Sequence, residues 1–423
     1  MGEFRRGFSL SSVASVGPPL AGLVTSPIIA QSLGVDGRGA VAAAMAPLAL
    51  TVNMLTLGLP EAVTYFSARF PASARRLAVV AIGALAAVGL IATIALILVG
   101  PLLSGGDASL VPLIAIAAVA AAPTLALLGA RAWAAGRGMW RLIAYEGIIS
   151  AVIRVLVVFL LGVAGQLSLR AAVLALAITG FVGLAPYLVS LAIAPKQRDS
   201  GEGERPSLAA PISFGMKTWL GSVSGSLLLS LDQVLMTPLS STYELGLYVV
   251  AVNVAQVARI VRAPLRTVVL SLESRAADSS RLEQLSRIST AGIALGAAGL
   301  GLISVWLIPI FFGREFHASI PVLLVLLGSV VAGNAGSVIS SGLTARGRPF
   351  ARSVALTAAL LASVVLLLVL VPQLGAMGAA LATLGGEAAT TIVILMLAHR
   401  SFGISPRRSL VVRLSDLRMF RGD

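Results

Sequence analysis

The chain has 423 residues, 57% hydrophobic and only 11% charged, with a formal net charge of +14 and a mean hydropathy of +0.98. Soluble domains carry roughly a quarter charged residues, so this composition excludes one. There is no cysteine, which removes disulfides, thiolate metal sites and thiol catalysis together.

Several apolar runs exceed the length that crosses a hydrocarbon core of about 30 Å at about 1.5 Å per residue. The clearest are 77–103 and 353–371. A membrane barrel strand would alternate polar and apolar over about ten residues, and these runs do not. The expected architecture is therefore an all-α integral membrane protein, because helices satisfy their own backbone in lipid. In chain order the predicted spans are 8–32, 40–67, 77–102, 109–131, 143–165 and 169–194. After a polar stretch follow 210–236, 245–271, 289–312, 318–343, 353–373 and 376–399, twelve in all. The first span is too long for a signal peptide and no small-x-small site closely follows it.

Orientation follows from lysine and arginine, which stay on the cytoplasmic side. With both termini inside, only Arg38, Arg170 and Arg314 fall in external loops. Arg154, Lys217, Arg259, Arg262 and Arg266 fall inside the membrane, and every other basic residue falls in a cytoplasmic segment. Most of the positive charge is topological, so no nucleic-acid partner is expected. The two histidines, His317 and His399, make no metal cluster, and no Walker A loop, zincin motif or catalytic triad is present.

The halves echo each other. LGVDGRGAVAAA (33–44) resembles LSSTYELGLYVVA (239–251), and YFSAR (65–69) resembles SLESR (271–275). AAGRGMWR (134–141) resembles ARGRPFAR (345–352), and LRAAVLA (169–175) resembles MGAALAT (377–383). The offsets are nearly constant. The expectation is two six-helix lobes, 1–194 and 210–400, related by a parallel repeat. A polar cytoplasmic linker (195–209) joins them and a basic tail (401–423) follows. Parallel repeats of this kind are a known transporter layout.

The 6+6 arrangement, together with LGVDGRGAVAAA, LGLPEAVTYFSAR (57–69) and LDQVLM (231–236), resembles the Wzx-type oligosaccharide flippases. These belong to the superfamily that also holds multidrug and toxic compound extrusion proteins and peptidoglycan-precursor flippases. The resemblance implies paired bundles that open alternately to the two sides of a bacterial plasma membrane. It implies a transporter rather than an enzyme, with a polyprenyl-diphosphate-linked oligosaccharide as cargo. It implies no resident cofactor, with proton or sodium coupling left open. Membrane lipids, a polysaccharide polymerase and glycosyltransferases are the partners it implies, for a chain acting as a monomer. The alternatives within the superfamily are a cation-coupled drug exporter and a peptidoglycan-precursor flippase.

The buried charges bear on the choice. Arg259, Arg262 and Arg266 stand at i, i+3 and i+7, within about a 60° arc of one helix face. Counted inward from Glu273 they lie about 21, 16 and 10 Å deep. Arg266 is within snorkelling reach of the interface. An arginine at mid-bilayer costs roughly 2.5–3.5 kcal/mol even on the lenient scale, and so should face a watery cavity. Pro264 interrupts the stripe and should kink its helix. Subtracting the repeat offset maps the three arginines onto Val52, Leu55 and Leu59, so the fold does not demand the charge.

No carboxylate shares the helix except Glu244 at its external end, which points to an anion as the stripe's partner. Given the resemblance, that anion is the diphosphate, with Arg154 and Lys217 as further ligands. The competing reading is an ion pair with Glu61 or Glu387. Either acid could instead couple a cation. Asn53, Asn253 and Gln256 are mid-span amides that could meet sugar hydroxyls or join helices. Asp232 reads as an acid near the external surface.

Overall fold

The computed structural model describes residues 2–193, 209–260, 262, 269, 273, 278–348 and 350–410. Among them every regular element is helical. Two compact units divide at Ser226/Leu227, inside one helix. The expected linker, apart from Ala209, lies outside the described residues, as do the tail beyond Leu410, Pro264 and Arg266. The side chain of Lys217 does too.

The first unit holds α1 (Gly2–Met54), α2 (Leu59–Arg69), α3 (Ala74–Leu103), α4 (Leu110–Ala118) and α5 (Ala121–Gly136). It continues with α6 (Trp140–Val163), α7 (Leu169–Thr179), α8 (Leu184–Ile193) and the first part of α9 (Ala209–Leu239). The second unit holds the rest of α9, then α10 (Thr242–Ile260), α11 (Ser279–Phe311), a 3₁₀ turn (Arg314–Ala318), α12 (Ser319–Ala345), α13 (Phe350–Phe402) and α14 (Pro406–Leu410).

Eight helical stretches are long and apolar enough to cross a membrane. They are Pro19–Met54, Ala74–Leu103, Leu110–Gly136, Trp140–Val163, Leu169–Ile193, Ser279–Phe311, Arg314–Ala345 and Ala351–Phe402. Their outer faces are apolar. Leu98 and Leu102 on α3 and Leu295 on α11 are about three-quarters exposed, a pattern that suits lipid and not water.

Two of these stretches fold back on themselves at a glycine. Gly34 breaks α1 with φ 71°, and Gly375 breaks α13 with φ 54°, a left-handed geometry that costs glycine no Cβ clash. In α13 the arms run side by side. A Cβ on Gly385 would strike Leu366, one on Gly386 would strike the Ser363 hydroxyl, and one on Gly378 would strike the Leu370 carbonyl. In α1 the Arg38 Nε donates to Ser26 Oγ at 3.3 Å across the break. Arg38, expected in an external loop, is therefore buried, at 8% exposed. The turn uses a single glycine, so Arg38 already lies one helical turn into the second arm.

The predicted span 40–67 is also interrupted. Leu57 and Gly58 take positive φ (50° and 66°) and Pro60 starts α2. Gly58 lies directly against the backbone of Gly215, and Trp219 Nε1 donates to the Met54 carbonyl at 2.6 Å. The first unit's core packs Trp133, Leu127, Tyr187 and Leu191 against Val63 and Ala78. The second packs Leu282, Val338, Ile339, Leu343, Ile394 and Ile404. The end of the described chain is fastened to the start of α11, where Ser405 N donates to Glu283 Oε1 at 2.7 Å and Ser286 Oγ to the Ser409 carbonyl at 3.1 Å.

Candidate functional site

The charged and polar residues of interest in the second unit come from three elements. Asp232 lies on α9, Arg259 and Arg262 on and just beyond α10, and Ser363, Thr383 and Glu387 on the two arms of α13. The reversal at Gly375 brings Ser363 and Glu387, 24 positions apart, onto facing arms. Small residues make the room. A Cβ on Gly333 of α12 would collide with the Glu387 carboxylate and stand 2.8 Å from Arg262 Nη2.

Arg262 donates to Glu387 through both terminal nitrogens, Nη1 to Oε1 at 3.2 Å and Nη2 to Oε2 at 3.4 Å. Both side chains are largely buried, at 14% and 19% exposed. The arginine stripe is thus not without an acid. Its counter-charge arrives from a helix 125 residues further on, where no inspection of its own helix would find it. Arg154, expected as a further ligand of the diphosphate, lies in the first unit.

Arg259 differs from its neighbour. Its Nε is buried without a hydrogen-bond partner, and among the described residues it makes no ion pair. It lines a cavity of about 30 Å³ with Asp232, Ser363, Thr383, Glu387 and five leucines. The Ser363 hydroxyl is also buried and unpartnered. Asp232, read from sequence as a surface acid, instead accepts from the Tyr248 hydroxyl at 2.5 Å, and that hydroxyl stands 3.1 Å from Thr383 Oγ1. The pattern carried no signal for this because Tyr248 and Thr383 are distant in sequence. Arg259, Asp232 and Glu387 therefore line one pocket, half-walled by leucines, and Arg262 is bound to Glu387 beside it. The Arg259 Nε is left without a partner there.

The remaining candidates scatter. Asn253 is half-buried and engaged in an interaction, and Gln256 is exposed. In the first unit Asn53 is exposed, and Glu61 is exposed in the opening turn of α2. Arg154 is partly buried on α6, with its Nε unpartnered. No cluster of three or more metal-ligating side chains occurs among the described residues.

Sequence reading missed two further ion pairs by counting their arginines as loop charge. Glu146, 2% exposed, accepts both arms of Arg131 at 2.7 and 2.8 Å, Ser150 Oγ at 3.1 Å and the Tyr187 hydroxyl at 3.3 Å. Glu273 accepts two nitrogens of Arg346 at 2.6 and 3.1 Å, and Arg346 lies over the Phe402 ring. The first couples α5 to α6. The Glu146 network satisfies its own members and leaves no open ligand position.

Known proteins sort the fold. The family described as polysaccharide biosynthesis protein matches residues 4–271. No curated protein matches the chain. Among solved structures, an inward-facing multidrug resistance MATE family transporter of the MOP superfamily superposes with a TM-score of 0.73 at 15% identity, covering 90% of this chain and 93% of that one. The lipid II flippase MurJ in an inward closed conformation gives 0.72 at 14%, covering 97% and 91%. A MOP superfamily transporter from Pyrococcus furiosus, described by the reverse polarity of its binding pocket, gives 0.60 at 15%, covering 94% of each chain. At such identities the likeness is one of fold. The chain belongs to the polysaccharide biosynthesis protein family and has the all-helical fold of the MOP-superfamily transporters and flippases.

Proposed function

We propose that this protein moves a polyprenyl-diphosphate-linked oligosaccharide from the cytoplasmic to the external leaflet of a bacterial plasma membrane by alternating access. The observation that carries the reading is Arg259, whose Nε is buried and unpartnered in the pocket it shares with Asp232 and Glu387. Such a cation is costly in lipid unless an anion meets it. A diphosphate suits the planar fork of an arginine through charge-assisted bonds. The family match adds the glycan context.

The pocket's volume of about 30 Å³ admits a group the size of a water molecule. The head group therefore enters only when the helices part, and it then competes with Glu387 for Arg262. Glu387, once displaced, is free to take a proton or sodium ion, which would couple the cycle to a cation gradient. Arg266, Arg154 and Lys217 complete the proposed diphosphate ligands. Glu61, Asn53, Asn253 and Gln256 remain candidates for sugar contacts or coupling.

Twelve crossings with both termini inside fit this role. The two stretches that reverse at Gly34 and Gly375 supply two crossings each, and α9 and α10 supply two beyond the eight apolar stretches. The lobes 1–194 and 210–400, linker 195–209 and tail 401–423 follow from the sequence repeats. The protein would act as a monomer beside the polymerase and glycosyltransferases that extend its cargo, without chemistry of its own.

The test is leaflet accessibility of the lipid-linked oligosaccharide in cells with and without the protein. Accumulation on the cytoplasmic face in its absence supports the reading. Unchanged accessibility together with ion-dependent efflux of an organic cation would favour a drug exporter, and accumulation of a peptidoglycan precursor would favour that flippase class.

A further inference from the structure

A second, larger hollow lies in the same unit. Val257 and Ala258 of α10 face Ser289, Gly292, Ile293, Gly296, Ala297 and Leu300 of α11 across an open groove of about 490 Å³. That volume is in the range of about 300–1,000 Å³ typical of ligand sites. Its α11 wall runs about 16 Å from Ser289 to Leu300 at 1.5 Å per residue. A Cβ on Gly292 or Gly296 would meet nothing within 4 Å. Glycine here does not serve close helix packing, because the space beside it is open.

The groove is polar at one end only. Asn334 Nδ2 donates to Ser289 Oγ and to Thr290 Oγ1, both at 3.0 Å. Asn334 adjoins Gly333, against which Arg262 and Glu387 press. Ala258 in the groove wall stands one turn from Arg262 on nearly the same helix face, about 6 Å along the axis. The hollow thus follows an apolar wall that begins about one helical turn from Arg262.

We propose that this groove seats the isoprenoid chain of the lipid carrier while its diphosphate engages Arg259 and Arg262. The proposal rests on the function inferred above and adds a place for the tail. An anionic head joined to an apolar chain needs a cationic group close to an apolar channel, and Ala258 of the groove wall stands one helical turn from Arg262. The gaps at Gly292 and Gly296, one helical turn apart, accept the methyl branches that distinguish an isoprenoid from a straight acyl chain.

The experiment uses the full chain in phosphatidylethanolamine nanodiscs with two photoreactive probes, a diazirine-bearing polyprenyl diphosphate and a diazirine-bearing phosphatidylglycerol. The polyprenyl probe should label the peptide spanning 289–300 in preference to the phospholipid probe. Gly292→Leu and Gly296→Leu fill open space, so folding is preserved. Each should weaken polyprenyl-diphosphate binding by about tenfold or more while inorganic pyrophosphate binds within about twofold of the parent. Val257→Trp, on the opposite wall, should do the same. Equal labelling by both probes, or unchanged polyprenyl binding in the filled variants, overturns the proposal. Failure of pyrophosphate to bind the parent protein would remove the head-group reading, yet preferential labelling by the polyprenyl probe would still uphold the groove.

Discussion

Arg262 is held to Glu387 by two hydrogen bonds, whereas Arg259, three residues earlier on the same face, has its Nε buried and unpaired. The two arginines should therefore respond to removal in opposite ways.

Arg262→Ala strands a carboxylate that is 19% exposed. It should lower stability by about 1–3 kcal/mol, the cost of a buried group left unsatisfied. Glu387→Gln in the same chain should restore most of that stability without restoring export. Thermal unfolding of the purified single and double variants checks it. Equal melting temperatures for Arg262→Ala and the parent would show that the pair contributes nothing.

Arg259→Ala removes a guanidinium whose Nε is buried without a hydrogen-bond partner and which makes no ion pair among the described residues, so stability should hold or rise. Export of lipid-linked glycan should fall by about tenfold or more, and Arg259→Lys should recover only part of it because a point charge lacks the forked geometry. Normal export from Arg259→Ala would overturn the anion-binding reading.

The Arg346–Glu273 pair is more deeply buried, at 6% and 0% side-chain exposure. Arg346→Ala should cost about 3–5 kcal/mol, as breaking one side of a buried pair does. Replacing both residues with apolar ones of similar volume should recover most of it. Denaturation of the two variants in one detergent decides the matter.

Gly58 combines φ 66° with close contact to the Gly215 backbone. Gly58→Ala should destabilise by about 1–2 kcal/mol from the left-handed backbone alone, and further from the collision. Gly83→Ala, where a Cβ meets nothing within 4 Å, is the matched control and should be neutral or stabilising.

Asp278 caps α11 outside the membrane spans and accepts from the Ser280 hydroxyl and the Ser280 and Arg281 backbone nitrogens. These bonds hold its carboxyl below the ordinary value of 3.8, the Ser280 hydroxyl contributing most. Because the folded-state value is the lower one, the cap's contribution is present above the ordinary aspartate range and is lost as pH falls through the depressed value. Asp278→Ala should flatten that part of the acid limb of a stability-versus-pH curve, while Asp278→Asn should keep the cap and lose its pH dependence.

Much of this protein is legible in the chain because lipid makes a simple demand. A backbone in hydrocarbon must satisfy its own hydrogen bonds, so long apolar runs such as 77–103 and 143–165 can only be helices, and the structure has helices over both. The glycine-centred reversals occur where the expected spans met end to end. The stripe's spacing, three arginines on one face, marks Arg259 and Arg262 as candidates from the chain alone. What the tertiary structure decided was partnership. Counting charges along the chain placed Arg38 in a loop, but a one-glycine turn returns it to the interior against Ser26. The same counting left Arg131 and Arg346 as topological charge, although each is one half of an ion pair. Which acid meets Arg262, and whether Asp232 faces outward or toward Tyr248, depends on how the arms of α13 pack against α9, α10 and α12. Those contacts join residues more than a hundred positions apart, and the periodicity of a single helix carries no information about its neighbour.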